Sequence, residues 1–184
     1  YIMANFTDKI LFGSDIVLKS KNVTGPTDAF VAKIDPDGKT VKWGIQVSGF
    51  GNIEAKNICT DNDMNLYVVG SFEDKISFDE NNTIEPKFKE GFFIAKYDQN
   101  GKFLWARQGG NYSSKYPGAC YANSVKTDKN GNLIVLANIL GMYDEWVHDK
   151  SMPVEKQYLG KAYYEDEEIQ ADNFHTGNQN LILK

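Results

Sequence analysis

The chain is poor in the residues that do chemistry. It holds two histidines, His148 and His175, and two cysteines, Cys59 and Cys120. A hydrolytic or group-transfer site needs a base beside its nucleophile. No Ser stands in a Gly-x-Ser-x-Gly context, and both histidines fall in one segment, 143–179. Two cysteines at unrelated positions make neither a disulfide framework nor a Cys-x-x-Cys metal pair, and are read as unpaired structural residues. Positive charge is also short: 20 Lys and Arg against 25 Asp and Glu give a net charge of −5 and a pI near 5.1. A phosphate backbone requires a basic face, so nucleic acid is not an expected partner. No apolar run approaches the roughly 18–20 residues of a helical membrane span.

What the chain does have is itself, more than once. "LYVVGSFEDKISFD" (Leu66 to Asp79) repeats "YIMANFTDKILFG" from Tyr1 at a spacing of 66, matching Tyr67 to Tyr1, Phe72 to Phe6, Ile76 to Ile10 and Phe78 to Phe12. "AFVAKIDPDGKTVKW" (Ala29 to Trp43) returns as "FFIAKYDQNGKFLW" (Phe92 to Trp105), and "AKNICTDNDMNLYVV" (Ala55 to Val69) as "ANSVKTDKNGNLIVL" (Ala122 to Leu136). Self-similarity at a fixed period marks a repeat architecture. The middle copy is complete. It reads as strand ("KNICTD"), Asp/Asn-rich turn, strand ("LYVVGSF"), a variable polar stretch from Glu73 to Glu90, strand ("GFFIAKYD"), tight turn ("DQNG") and strand ("KFLWARQ"). Its second strand is apolar on both faces, so its sheet must lie between other layers.

Four-stranded antiparallel sheets repeated in this way predict an all-β chain, a β-propeller segment of about three blades. Residues 1–50 form a blade lacking its first strand, and 51–121 a complete blade. Residues 122–184 form a blade with an insertion at 143–179, "NLILK" as third strand and no fourth. The unpaired edges predict that the remainder of a longer parent chain, or other subunits, completes the propeller.

These residues resemble the SBBP-type β-propeller repeat, with its pattern Asp-x-Phe-Val-Ala-Lys-Tyr-Asp-x-x-Gly-x-x-x-Trp followed by Asp-x-x-Gly-Asn-x-Tyr-Val-x-Gly-x-Phe. The first half matches Asp28, Phe30 to Lys33, Asp35, Gly38 and Trp43, and again Phe93 to Asp98, Gly101 and Trp105. The second half matches Asp61, Asn65, Tyr67, Val68, Gly70 and Phe72, and again Asp128, Gly131, Asn132, Ile134, Val135 and Ala137. Met64 stands where the pattern has a turn Gly. The resemblance implies an exported or surface-attached bacterial protein serving as an interaction platform, with no catalytic motif to transfer. Four Asn-x-Ser/Thr sequons, at Asn5, Asn22, Asn81 and Asn111, agree with export.

A feature present in every unit is expected to be structural. Lys33 and Lys96 are expected to pair with Asp35 and Asp98 across one strand face, and Trp43 and Trp105 to lie in the core. The turns "DNDMN" and "DPDG" resemble the start of a calcium loop, but Asx turns account for them without a metal, so no cofactor is expected, with calcium as the alternative. Function is expected on the long connections, at 73–90, 109–121 and 141–180, because variable loops on a rigid scaffold carry function. The longest is rich in aromatics that anchor interfaces, giving Trp146, Tyr158, Tyr163, Tyr164 and Phe174 as binding candidates for a protein or glycan. Two alternatives stay open. One is an enzyme on the same fold, quinoprotein-like because "AKYDQNGKFLWARQ" also resembles the Trp-containing repeat of that family, or glycosidase-like from the carboxylates of "YYEDEE". The other is a structural spacer.

Overall fold

The structure is a computed structural model. It describes residues 1–21, 25–85, 91–111, 120–139, 162–164, 167–169 and 179–183, with side-chain environments as far as Asn138. No helix occurs among them. The strands in chain order are β1 (Ile2–Phe6), β2 (Lys9–Phe12), β3 (Ile16–Lys19), β4 (Asp28–Ile34), β5 (Val41–Gly49), β6 (Ile53–Thr60), β7 (Leu66–Phe72) and β8 (Ile76–Ser77). They continue with β9 (Thr83–Ile84), β10 (Gly91–Tyr97), β11 (Phe103–Asn111), β12 (Cys120–Thr127), β13 (Leu133–Ile139), β14 (Ala162–Tyr164), β15 (Glu167–Ile169) and β16 (Gln179–Leu183).

Every pairing is antiparallel. The middle copy folds as the meander β6-β7-β10-β11, and the first contributes β1-β4-β5. The third contributes β12-β13-β16, so "NLILK" does supply a third strand. The copies agree in register down to their irregularities. The ladder slips after Lys33 in the first sheet and after the equivalent Lys96 in the second. It slips again between Ala55 and Asn57 and between the equivalent Ala122 and Ser124.

Two sheets are larger than four or three strands, which the sequence reading did not anticipate. The stretch from Glu73, read as a polar connection, contains the hairpin β8-β9, and β8 pairs with the outer edge of β5. Part of the run "YYEDEE", read as a loop, likewise lies in the hairpin β14-β15, and β14 pairs with the outer edge of β11. The first copy has the corresponding hairpin, β2-β3. Its register repeats that of the second: Ile10 faces Leu18 as Ile76 faces Ile84, each at a spacing of 66.

Packing explains why the middle sheet is apolar throughout. All seven residues of β7 are buried. Leu66, Val68 and Phe72, with Phe93 and Ala95 of β10, pack against Ala29, Val31 and Val47 of the first sheet. The alternate residues Tyr67, Val69, Phe92 and Ile94 pack against Ala122, Val125, Val135 and Ala137 of the third. The outward face of the first sheet, around Phe30 and Ala32, is covered by the β2-β3 hairpin through Ile10, Phe12 and Leu18. The two hairpins sit on their own sheets alike. Phe12 meets Phe30 at 5.3 Å between ring centroids, and Phe78 meets the equivalent Phe93 at 5.7 Å.

Candidate functional site

Recurring turns hold the sheets to shape and engage Asp61, one of the carboxylates considered for calcium. Asp61 Oδ1 accepts the backbone N–H groups of Asp63 and Asn65, and its Oδ2 accepts the Asn65 amide at 2.9 Å. Asp128 repeats this with Asn130 and Asn132, and Asp98 accepts the N–H groups of Asn100 and Lys102. These are Asx turns, satisfied by the chain itself. Among the described residues no three His, Cys, Asp or Glu side chains gather as a metal-ligand set.

The expected lysine pairs are different from those formed. Lys96 reaches across its sheet to Asp61 Oδ2 at 3.3 Å and lies over the Tyr67 ring, while the Tyr67 hydroxyl donates to the same carboxylate. Lys33 donates instead to the Gln99 carbonyl of the second sheet at 3.1 Å, and Asp35 pairs with Lys42. Residues i and i+2 do share a strand face, but Asp35 and Asp98 already stand in the turn, beyond the strand. Burial, the largest influence, pushes the Asp61 carboxyl up, but the hydrogen bonds from Asn65 and Lys96 outweigh it, and it lies below its ordinary range. Burial lowers Lys96 in turn, and the hydrogen bonds to Tyr67 and Asp61 more than reverse that.

The tryptophans are half-buried rather than core. Trp43 packs its ring under the turn of the second sheet and donates its indole N–H to the Gln99 carbonyl at 3.3 Å. A Cβ on Gly101 would meet that ring at 2.9 Å, so glycine is required there twice, by space and by a φ of +83°.

A cleft of about 590 Å3 with a mixed polar and apolar lining opens where the first and second sheets meet. Lys19, at the end of β3, and Lys21, just after it, line one side, and Asp79 and Glu80, which follow β8, line the other. Phe103 borders it and stacks on Phe78 at 5.4 Å, with an interplanar angle of 22°. The carboxylate wall belongs to the connection at 73–90 that the sequence singled out, whereas the lysine wall, in the corresponding part of the first copy, was not among the expected connections.

Beside the cleft, Asp28 is fully buried. Its carboxylate accepts the Lys21 N–H (3.2 Å), the Gln46 amide (3.0 Å) and the Gly49 N–H (3.1 Å), tying the connection after β3 to the end of β5. Gln46 also donates to the Lys19 carbonyl at 2.8 Å, and the equivalent Gln108 donates to the Glu85 carbonyl at 3.0 Å. The recurrence of Gln three residues after Trp was the available signal for this clasp. The repeat pattern includes Asp28, but nothing local shows its role, because its partners lie 7, 18 and 21 residues away.

Tyr163 and Tyr164 fall on β14, where Tyr163 faces Gly110 and Tyr164 faces Gly109. Tyr163 thus holds the register position that Ser77, opposite Ser48, holds beside the cleft. Trp146, Tyr158 and Phe174 lie outside the described residues, as do His148 and His175. Cys120, read as part of a connection, is fully buried in β12. Neither cysteine is in a disulfide. Burial, followed by the nearby Asp61 charge, pushes the Cys59 thiol up to about 11, which leaves it a poor nucleophile at neutral pH. Of the sequons, Asn5 is committed: its amide donates to the Ala55 carbonyl and accepts the Ala55 N–H at 2.8 Å. Asn81 is exposed in the β8-β9 turn.

No known family model matches the sequence, and no curated protein is similar to it.

Proposed function

We propose that the chain is a β-propeller segment working as a non-catalytic binding scaffold of an exported protein, with its ligand held on the side of the long connections. The observation that carries this reading is the cleft. Lys19, Lys21 and Glu80 line it with charged side chains beside Phe103, a mixed surface built from connections that a repeated framework holds in place. That chemistry suits a glycan better than an apolar molecule. Trp146, Tyr158, Tyr163, Tyr164 and Phe174 are proposed as further contacts from the third unit's connection. The radial arrangement itself rests on the period, the face-to-face stacking of the sheets and the resemblance of the repeat.

The test is a glycan array probed with the chain and its variants. Lys19→Ala with Glu80→Ala, and Tyr163→Ala alone, are each expected to weaken a bound glycan at least tenfold. Lys129→Ala, on a short turn, is expected to change nothing. Loss confined to Lys129→Ala would move the ligand to the opposite side. Turnover of the glycan would replace the scaffold by an enzyme.

A further inference from the structure

We infer that the free edge of β2 is a docking site for the fourth strand of another unit of this repeat. Fourth strand here means an extended segment of the kind seen in β5 and β11, carrying Trp-x-x-Gln followed within two residues by Ser or Gly. The basis is an interface that the molecule already makes twice. β8 pairs with β5, Gly49 facing Ile76 and Ser48 facing Ser77, and β14 pairs with β11, Gly110 facing Tyr163. β2 is the counterpart of β8 by sequence, by hairpin register and by its seat on its own sheet. Among the described residues, however, β2 pairs with β3 alone.

Burial shows what is missing. Ile76 and Phe78 are 0% and 2% exposed, whereas their counterparts Ile10 and Phe12 are only half-buried. An unpaired strand edge is a template for another strand, and main-chain pairing supplies the affinity. The register specifies the pairing: the incoming segment lies antiparallel to β2, with the residues equivalent to Ser48 and Gly49 opposite Leu11 and Ile10. In the β5-β8 pairing there is no room for a side chain at that end, because a Cβ on Gly49 would come within 2.6 Å of the Lys75 carbonyl oxygen. A second copy of this chain is the wrong occupant. Both fourth strands described here already carry a hairpin, β8 on β5 and β14 on β11.

The probe is a synthetic peptide of residues 41–49, VKWGIQVSG, added to the full chain and followed by amide hydrogen exchange. The inference expects protection at Ile10 and Leu11 to rise at least tenfold at saturation, with β8 unchanged. It expects the effect to vanish for Leu11→Pro in the chain and for Gly49→Val in the peptide. The peptide change leaves the chain's own folding untouched, so it decides the matter even if Leu11→Pro unfolds the hairpin. No added protection at Ile10 and Leu11, or protection on β1 or β16 instead, would overturn the inference. So would a dimer in sedimentation that Leu11→Pro dissolves, since the occupant would then be a second copy.

Discussion

Met64 shows what a single residue carries in this repeat. Gly38, Gly101 and Gly131 turn their hairpins at φ of +71°, +83° and +82°, and Met64 occupies the same left-handed conformation at +62°. A side chain there costs roughly 1–2 kcal/mol, of which glycine's greater unfolded entropy returns part. Met64→Gly is expected to stabilise the chain by about 0.5–1 kcal/mol in urea unfolding. Asp28→Ala works in the opposite direction. It strands two backbone N–H groups and the Gln46 amide beside an apolar face, at an expected cost of about 3 kcal/mol. The departure at Met64 was legible because neighbouring repeats supply the comparison; the role of Asp28 was not, because it depends on distant partners. Asp61 sets an acid limb. Its folded carboxyl lies below the unfolded value of about 3.9, so its contribution is complete above that value and is lost as pH falls through the folded one. Asp61→Asn is expected to flatten the fall in melting temperature below about pH 4.

At the scale of elements, the hairpins were half legible. The matches Ile10 to Ile76 and Phe12 to Phe78 were visible, but β8 and β9 hold two residues each, too few to show strand alternation against a polar background. Their anchors distinguish a docked hairpin from an undocked one. Phe78 touches both Phe93 and Phe103, and Phe78→Ala is expected to cost about 3–5 kcal/mol. Phe12 is half-buried, so Phe12→Ala is expected to cost less than half as much in the same urea titration. Equal costs would mean that docking on the neighbouring strand adds nothing.

For the whole molecule, the period and the two-sided apolar second strand were enough to place the middle sheet between its neighbours. The binding candidates were not resolved in the same way. They stand in a segment with no second copy to compare, and only Tyr163 and Tyr164 among them gain a register position. Stacked repeats draw their stability from nearest neighbours. The second sheet has a neighbour on each face, so native-state exchange is expected to find the amides of β7 and β10 the slowest in the chain, with β4 and β13 opening earlier. Uniform protection across the three sheets would show instead a single cooperative unit.

The hairpins β8-β9 and β14-β15 both reach backwards to an earlier strand, and that gives synthesis a timetable. β5 is finished at Gly49, but the residue that covers its edge, Ile76, comes 27 positions later, and β11 waits 51 positions from Asn111 to Ala162. At roughly 5–20 residues per second, the first edge stands bare for about 1–5 s and the second for about 3–10 s. The first and second sheets leave the ribosome unsealed and are closed by the unit that follows, so the interval between Asn111 and Ala162 is when a nascent chain most needs shielding from its neighbours on the same message.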